Sequence, residues 1–183
     1  MNRNFLGSIA AIAIVAGGGA AVAQSNPRVG GAAMLTTRNI VENAVNSKDH
    51  TTLVAAVKAA DLVPTLSGPG PLTVFAPTNA AFAKLPAGTV DTLVKPENKA
   101  QLTSILTYHV VPGAISSQDI AAKAKANGGT ATYATVQGEP LTFKKRGSGW
   151  GVTDAKGNTA RITIANVRQS NGMIHVIDTV LMP

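Results

Sequence analysis

Residues 73–82 read Thr73-Val74-Phe75-Ala76-Pro77-Thr78-Asn79-Ala80-Ala81-Phe82. The opening half is apolar and β-favouring, which predicts a short strand over Leu72 to Ala76. Pro77 then fixes φ and removes a backbone donor. Thr78 or Asn79 follows with a side-chain oxygen for the unpaired N–H groups of a helix start, so a helix is expected through Leu85. The stretch is a strand-to-helix corner, and Phe75 and Phe82 reach a core from its two sides.

Upstream of this corner, Asn39 to Val45 and Thr51 to Ala60 read as helices. Leu53, Val54 and Val57 recur at spacings of three and four, and Ser47 or Asp49 is available as a cap. Pro64 and the run Ser67-Gly68-Pro69-Gly70-Pro71 are expected to stop helical structure. Downstream, Lys99 to Tyr108 places Leu102, Ile105 and Leu106 on one face of a helix, and Pro112-Gly113 ends the extended piece after it. Gln118 to Ala126 is a further helix, capped by Ser116 or Ser117 and stopped by Asn127-Gly128.

From Thr130 the pattern turns to β, with strands expected at Thr130 to Val136, Leu141 to Arg146, Gly151 to Asp154, Arg161 to Val167 and Met173 to Leu181. Gly147-Ser148-Gly149, Lys156-Gly157-Asn158 and Asn171-Gly172 supply turn residues that tolerate positive φ. In the last strand Ile174, Val176 and Val180 fall on one face and Met173, Ile177 and Leu181 on the other, the mark of a central strand covered on both sides. Helices first and an antiparallel sheet afterwards make an α+β domain.

The N-terminus sets the compartment. Arg3 precedes an apolar run from Phe5 to Val15, and Ala21-Val22-Ala23 supplies small residues for cleavage, so residues 1–23 read as a signal peptide and Gln24 as the mature start. A membrane anchor is the competing reading, but Gly17-Gly18-Gly19 breaks the run short of the roughly 20 apolar residues a span needs. Residues 24–38, small and polar, read as a flexible leader, and residues 39–183 as one domain. The chain has no cysteine, which excludes disulfides, thiolate metal sites and a lipidated cysteine. Sixteen Lys and Arg stand against nine Asp and Glu, a net charge of +7. Losing Arg3 with the signal leaves +6, enough to attract anionic surfaces. The densest basic run, Lys144-Lys145-Arg146, lacks the interleaved aromatics of a nucleic-acid stripe. The expected product is a secreted or periplasmic monomer with no membrane span.

The corner segment resembles the first signature of the fasciclin (FAS1) family. Tyr108-His109-Val110-Val111-Pro112-Gly113 is similar to that family's central Tyr-His motif. Asn171-Gly172-Met173-Ile174-His175-Val176-Ile177-Asp178-Thr179-Val180-Leu181 is similar to its C-terminal signature. Three motifs in the right order span about Asn39 to Leu181. The resemblance implies a β-wedge of two sheets packed beside a group of short helices. It also implies a non-enzymatic adhesion or interaction module that binds a surface polymer or partner protein. Thr73, Phe75, Pro77, Thr78, Asn79, Phe82, Gly172, His175 and Asp178 then form the structural motif.

Candidate sites are weighed on that scaffold. His109, His175 and Asp178 offer a His-His-carboxylate set, but no HExxH-like spacing supports a metal, and hydrogen-bonded core histidines are the reading taken. His50, in a polar stretch, is read as solvated. Gly147-Ser148-Gly149-Trp150-Gly151 lacks the spacing of a nucleophile elbow and, with no helix after it, of a dinucleotide loop. No catalytic residue, metal or cofactor is expected. Lys144, Lys145 and Arg146 beside Trp150 could grip an anionic glycan by charge and an aromatic platform, or simply discourage edge pairing. Asp119-Ile120 matches a dipeptide that the family resemblance, like Tyr108-His109, ties to adhesion; the residues alone read as helix-end stabilisation and core packing. A carrier of a small apolar or amphipathic ligand, in a pocket between helices and sheet, is the alternative.

Overall fold

The strand of the corner, β3 (Leu72–Pro77), is buried along most of its length because it lies between two others. On one side it pairs antiparallel with β4 (Val110–Pro112), and on the other in parallel with β9 (Gly172–Ile177), Phe75 standing opposite His175. These contacts come from a computed structural model that describes residues 26–183. The expected signal peptide, its cleavage after Ala23 and the mature start at Gln24 lie outside the described residues. The remaining strands are β5 (Thr130–Ala134), β6 (Pro140–Arg146), β7 (Gly149–Thr153) and β8 (Thr159–Gln169), giving one sheet of order β4-β3-β9-β8-β7-β6-β5.

The eleven-residue β8 joins the two halves of the wedge. Its first part pairs with β7 and the rest with β9, and the register slips between Ile162 and Val167, where Asn166 takes φ +60°. Such bulges bend a strand and increase its twist. The bend brings the far edges together: the Val136 N–H, just beyond β5, donates to the Val110 carbonyl at 2.8 Å. The sheet is therefore nearly closed.

Alternation along β3 and β9 feeds two cores. Val74, Ala76, Ile174 and Val176 face the helices α1 (Ile40–Ala44), α2 (Thr51–Ala59), α3 (Val63–Ser67) and α6 (Lys99–Tyr108). Phe75 and Ile177 face the interior of the wedge, where α7 (Ser117–Ala126) adds Ile120 and Ala124 to Leu141, Phe143 and Val152. Phe75 packs on Phe143 at a centroid distance of 5.2 Å and stacks on His175 at 5.4 Å. The expected doubly covered last strand is in place, although its ladder ends at Ile177 and Thr179 to Met182 continue without a partner strand.

The corner divides its two capping residues. Thr78 caps α4 (Asn79–Ala83) by accepting from the Ala81 N–H. Asn79 instead caps α2 from outside, accepting from Thr52 N–H and the Thr51 hydroxyl while donating to the Lys48 carbonyl. Neither Ser47 nor Asp49 caps that helix, as had been expected; Ser47 Oγ is held by His50 Nδ1.

Three further expectations differ. Pro64 begins a helix rather than ending one, since in the first turn of α3 no N–H is required of it. A five-residue helix, α5 (Thr89–Leu93), was not anticipated. The leader is not free from residue 26 onward: β1 (Arg28–Val29) and β2 (Ala32–Ala33) form a hairpin whose Val29 and the following Met34 are buried in the helical-side core. Asn26 ties it down, its Oδ1 accepting from Arg168 N–H at 3.0 Å. Small polar composition concealed two apolar anchors.

Gly172 opens β9 where a Cβ would collide with the Leu72 carbonyl and backbone of the parallel neighbour. Gly172→Ala should cost at least about 2 kcal/mol by prying the central pair apart, read as a lower urea midpoint at unchanged m-value.

Candidate functional site

Tyr108 and His109 close α6 and are sealed, with relative exposures of 0% and 2%. The Tyr108 hydroxyl donates to the Pro140 carbonyl at 3.2 Å and accepts from Ala155 N–H at 2.9 Å, so it pins both ends of the β6–β7 hairpin. His109 Nδ1–H donates to the Ile105 carbonyl at 2.8 Å, and Nε2 accepts from Leu181 N–H at 3.0 Å. Those partners fix the neutral tautomer. Burial, only partly offset by the Ile105 bond, drives the imidazole down to about 4.

His175, fully buried, carries the opposite tautomer. Nε2–H donates to the Ile115 carbonyl at 2.7 Å and Nδ1 accepts from Asn166 N–H at 3.3 Å, and burial again lowers its pKa. Asp178 bonds elsewhere, its Oδ1 accepting from Arg161 N–H at 2.8 Å and from the Thr179 hydroxyl. Thus the two histidines and the carboxylate are not one set: each imidazole spends both nitrogens on the backbone. Among the described residues, no three His, Cys, Asp or Glu side chains gather as metal ligands. His50 corrects the sequence reading. It is 2% exposed, bonded to Ser47 Oγ and the Ala76 carbonyl, with its pKa lowered by burial. Its polar neighbours in sequence concealed a position beneath the N-terminal hairpin.

Asp119 and Ile120 separate by side. Ile120 is fully buried against Phe143 and its neighbours, whereas the Asp119 carboxylate is exposed. Asp119 completes a capping box on α7, accepting from Ser116 N–H and hydroxyl, bonds that hold its pKa low. Tyr108, His109 and Ile120 therefore cannot meet a partner directly, because each lies under other side chains.

The basic hairpin is also divided. Lys145 pairs across the ladder with Trp150, two residues beyond the inward pair Phe143 and Val152, so both sit at the mouth of the wedge interior. Lys144 and Arg146 alternate to the outer face. The single platform of three cations and one indole that the glycan reading needs does not form, because the strand's period of two sends the cations to both sides. Gly147, at φ +59°, takes the first central position of the two-residue turn between them.

Between the helices and the sheet lies an apolar cavity of about 40 Å³, lined among others by Val29, Met34, Leu53, Val74, His109 and Ile174. Ligand pockets run to roughly 300–1,000 Å³. The cavity stands where the carrier alternative puts it, yet is far too small as it is for such a ligand.

A Fasciclin domain model matches residues 48–183, and the chain belongs to the fasciclin family. Protein sll1483 of Synechocystis sp. is 50% identical over 152 residues, 83% of this chain and 77% of that protein. The immunogenic protein MPB70 of Mycobacterium bovis is 40% identical, over 76% of this chain and 66% of its own length. The cell surface glycolipoprotein MPB83 of M. bovis is 38% identical, over 93% of this chain and 72% of its own. Among solved structures, the FAS1 domain pair of the insect cell adhesion molecule Fasciclin I superposes with a TM-score of 0.70 at 16% identity, over 80% of this chain. The chain spans about half the length of that pair (51%), and the likeness is one of fold.

The sealed histidines set an acid limit. An imidazole whose folded pKa lies near 4, below its unfolded value, contributes stability that is present above about pH 6.5 and lost as pH falls toward 4. His109 alone accounts for about 3 kcal/mol over that window, and His50 and His175 act in the same direction. Urea midpoints measured from pH 7.5 to 4 should fall continuously below 6.5; a flat profile would show that the imidazoles are not held neutral.

Proposed function

We infer that this chain is an exported, non-enzymatic interaction module, released after Ala23, that adheres to a surface polymer or partner protein. The observation that carries the reading is the sealing of its chemistry. The two motif histidines are buried with both ring nitrogens bonded to the backbone, and the motif carboxylate Asp178 is bonded to a backbone amide and a hydroxyl. Neither imidazole is left to act on a substrate, so what the fold offers is its surface. The name of the mycobacterial relative, a cell surface glycolipoprotein, supports the same compartment. Within the described residues no helix is long and apolar enough to cross a membrane, and the sequence holds no cysteine.

Of the four residues that the family resemblance ties to adhesion, only Asp119 presents atoms outward, and we assign it the direct contact. Tyr108, His109 and Ile120 hold the scaffold. The test is retention of isolated cell-envelope and matrix fractions on the immobilised mature chain. A discrete component should be held by the native protein. Asp119→Asn should weaken that retention about tenfold while costing only about 1 kcal/mol of stability through the altered cap. Retention indifferent to Asp119, or absent altogether, argues against this reading.

A further inference from the structure

On the sheet's outer face, one row of side chains runs across four strands. Thr130 pairs with Lys144, Lys144 with Gly151, and Gly151 with Arg161. Cross-strand partners share a face, and this one is opposite the row Ala131, Phe143, Val152 and Ala160, each fully buried. Gly151 is the gap in the row. A Cβ there would lie 3.0 Å from Arg146 Cγ and 3.2 Å from Thr159 Cγ2, so the missing side chain lets Arg146 lie across β7 toward Arg161. Lys144 and Arg161 are thereby separated by two strand spacings, about 10 Å, with Arg146 between them.

The row opens at its β8 end into a groove of about 560 Å³, lined by Arg146, Thr159, Arg161, Lys84, Asp178 and Thr179. Lys84 Nζ donates to the Thr179 hydroxyl at 3.3 Å, which brings a fourth cation to the same side. Asp178 is the carboxylate among those groove residues, and its Oδ1 is already committed to Arg161 N–H and Thr179 Oγ1. The ion pair among the described residues joins Lys99 to Asp61, and residues 1–25 contain no acid. The four cations therefore have no carboxylate partner.

We propose that this outer face, Lys144, Arg146 and Arg161 with Lys84 at its end, binds an acidic polysaccharide. The inference goes beyond the contact assigned to Asp119 by adding a second surface, and it rests on the adhesion reading. Threonine hydroxyls at 130, 142, 153 and 159 alternate to the same face and offer sugar hydroxyls hydrogen-bond partners beside the charges. The alternatives fit the chemistry less well. Single-stranded nucleic acid needs aromatic platforms, and Trp150 and Tyr133 belong to the opposite face. An anionic membrane favours apolar side chains that insert beside the charges, and this row presents none.

The test measures binding of the mature chain to polygalacturonate, dextran sulfate, neutral dextran and vesicles containing phosphatidylglycerol, beside the envelope-retention assay. Both acidic polymers should bind at about 50 mM salt, with neutral dextran excluded and affinity falling as salt rises. Lys144→Glu/Arg161→Glu should weaken them about tenfold or more, while Lys58→Glu/Lys95→Glu, with the same net charge at exposed positions outside the sheet, changes them less than about threefold. Lys144→Gln/Arg161→Gln should show the same order of loss should charge reversal disturb folding. Equal losses in the two Glu variants, or tighter binding to the vesicles, would overturn the site. Envelope retention without acidic-polymer binding sinks this inference and leaves the adhesion reading standing. Absence of both removes the adhesion reading as well.

Discussion

The structure depends on the parallel register of β3 and β9, which sets Phe75 beside His175 and Val74 beside Ile174. Two strands far apart in sequence are joined here, and each sends alternate residues into a different core. Phe75 and Ile177 close the interior of the wedge, while Val74, Ala76, Ile174 and Val176 receive the helices. Opening this pair would expose both cores at once. Truncating a buried Phe costs about 3–5 kcal/mol in ordinary cores, and Phe75 holds two aromatic neighbours, Phe143 and His175.

The buried polar groups serve that central pair. His175 spans from β9 to the Ile115 carbonyl, and Thr73 accepts from the Ile115 N–H while donating to the Gly113 carbonyl, so one loop is hung on both central strands. His109 does the same for the C-terminal tail through Leu181. A buried amide or carbonyl left unpaired costs on the order of 1–3 kcal/mol. Imidazole suits this task because its neutral form pairs one donor with one acceptor. An imidazole so used has lost the exposure and basicity that general acid–base work requires.

Periodicity and breakers made the elements legible from sequence. The corner at Pro77, the faces of the last strand and the turn at Gly147 lie where local chemistry placed them, while the last turn falls one residue earlier than expected, at Ser170-Asn171. What sequence could not assign were long-range partners. Thr78 and Asn79 are equivalent candidate caps locally, and only the arrival of α2 beside the corner decides that Asn79 serves another helix. His50 looked solvated because its neighbours in sequence are polar; its neighbours in space are the Ala76 carbonyl and the core beneath the hairpin. The leader's two apolar anchors, Val29 and Met34, were too few to show a period. Of the candidate sites, the Asp119 cap was visible as a spacing of three from Ser116. Arg161 and Lys84 were not, because only pairing across strands brings them to Lys144 and Arg146.

That last failure bears on where a charged domain can keep its function. Inside the wedge, α7 fills the space over β5 and β6 with Ile120 and Ala124, so no charge can be housed there without a desolvation cost of several kcal/mol. Alternation puts Lys144, Arg146 and Arg161 outside and leaves Lys145 at the mouth, and the register decides whether the outer cations scatter or align. Here Lys144, Gly151 and Arg161 share one row, and the absence of a side chain at Gly151 leaves Arg146 room to join it. The same pleat that builds the core thus sorts the charge, and a net positive balance becomes a directed surface.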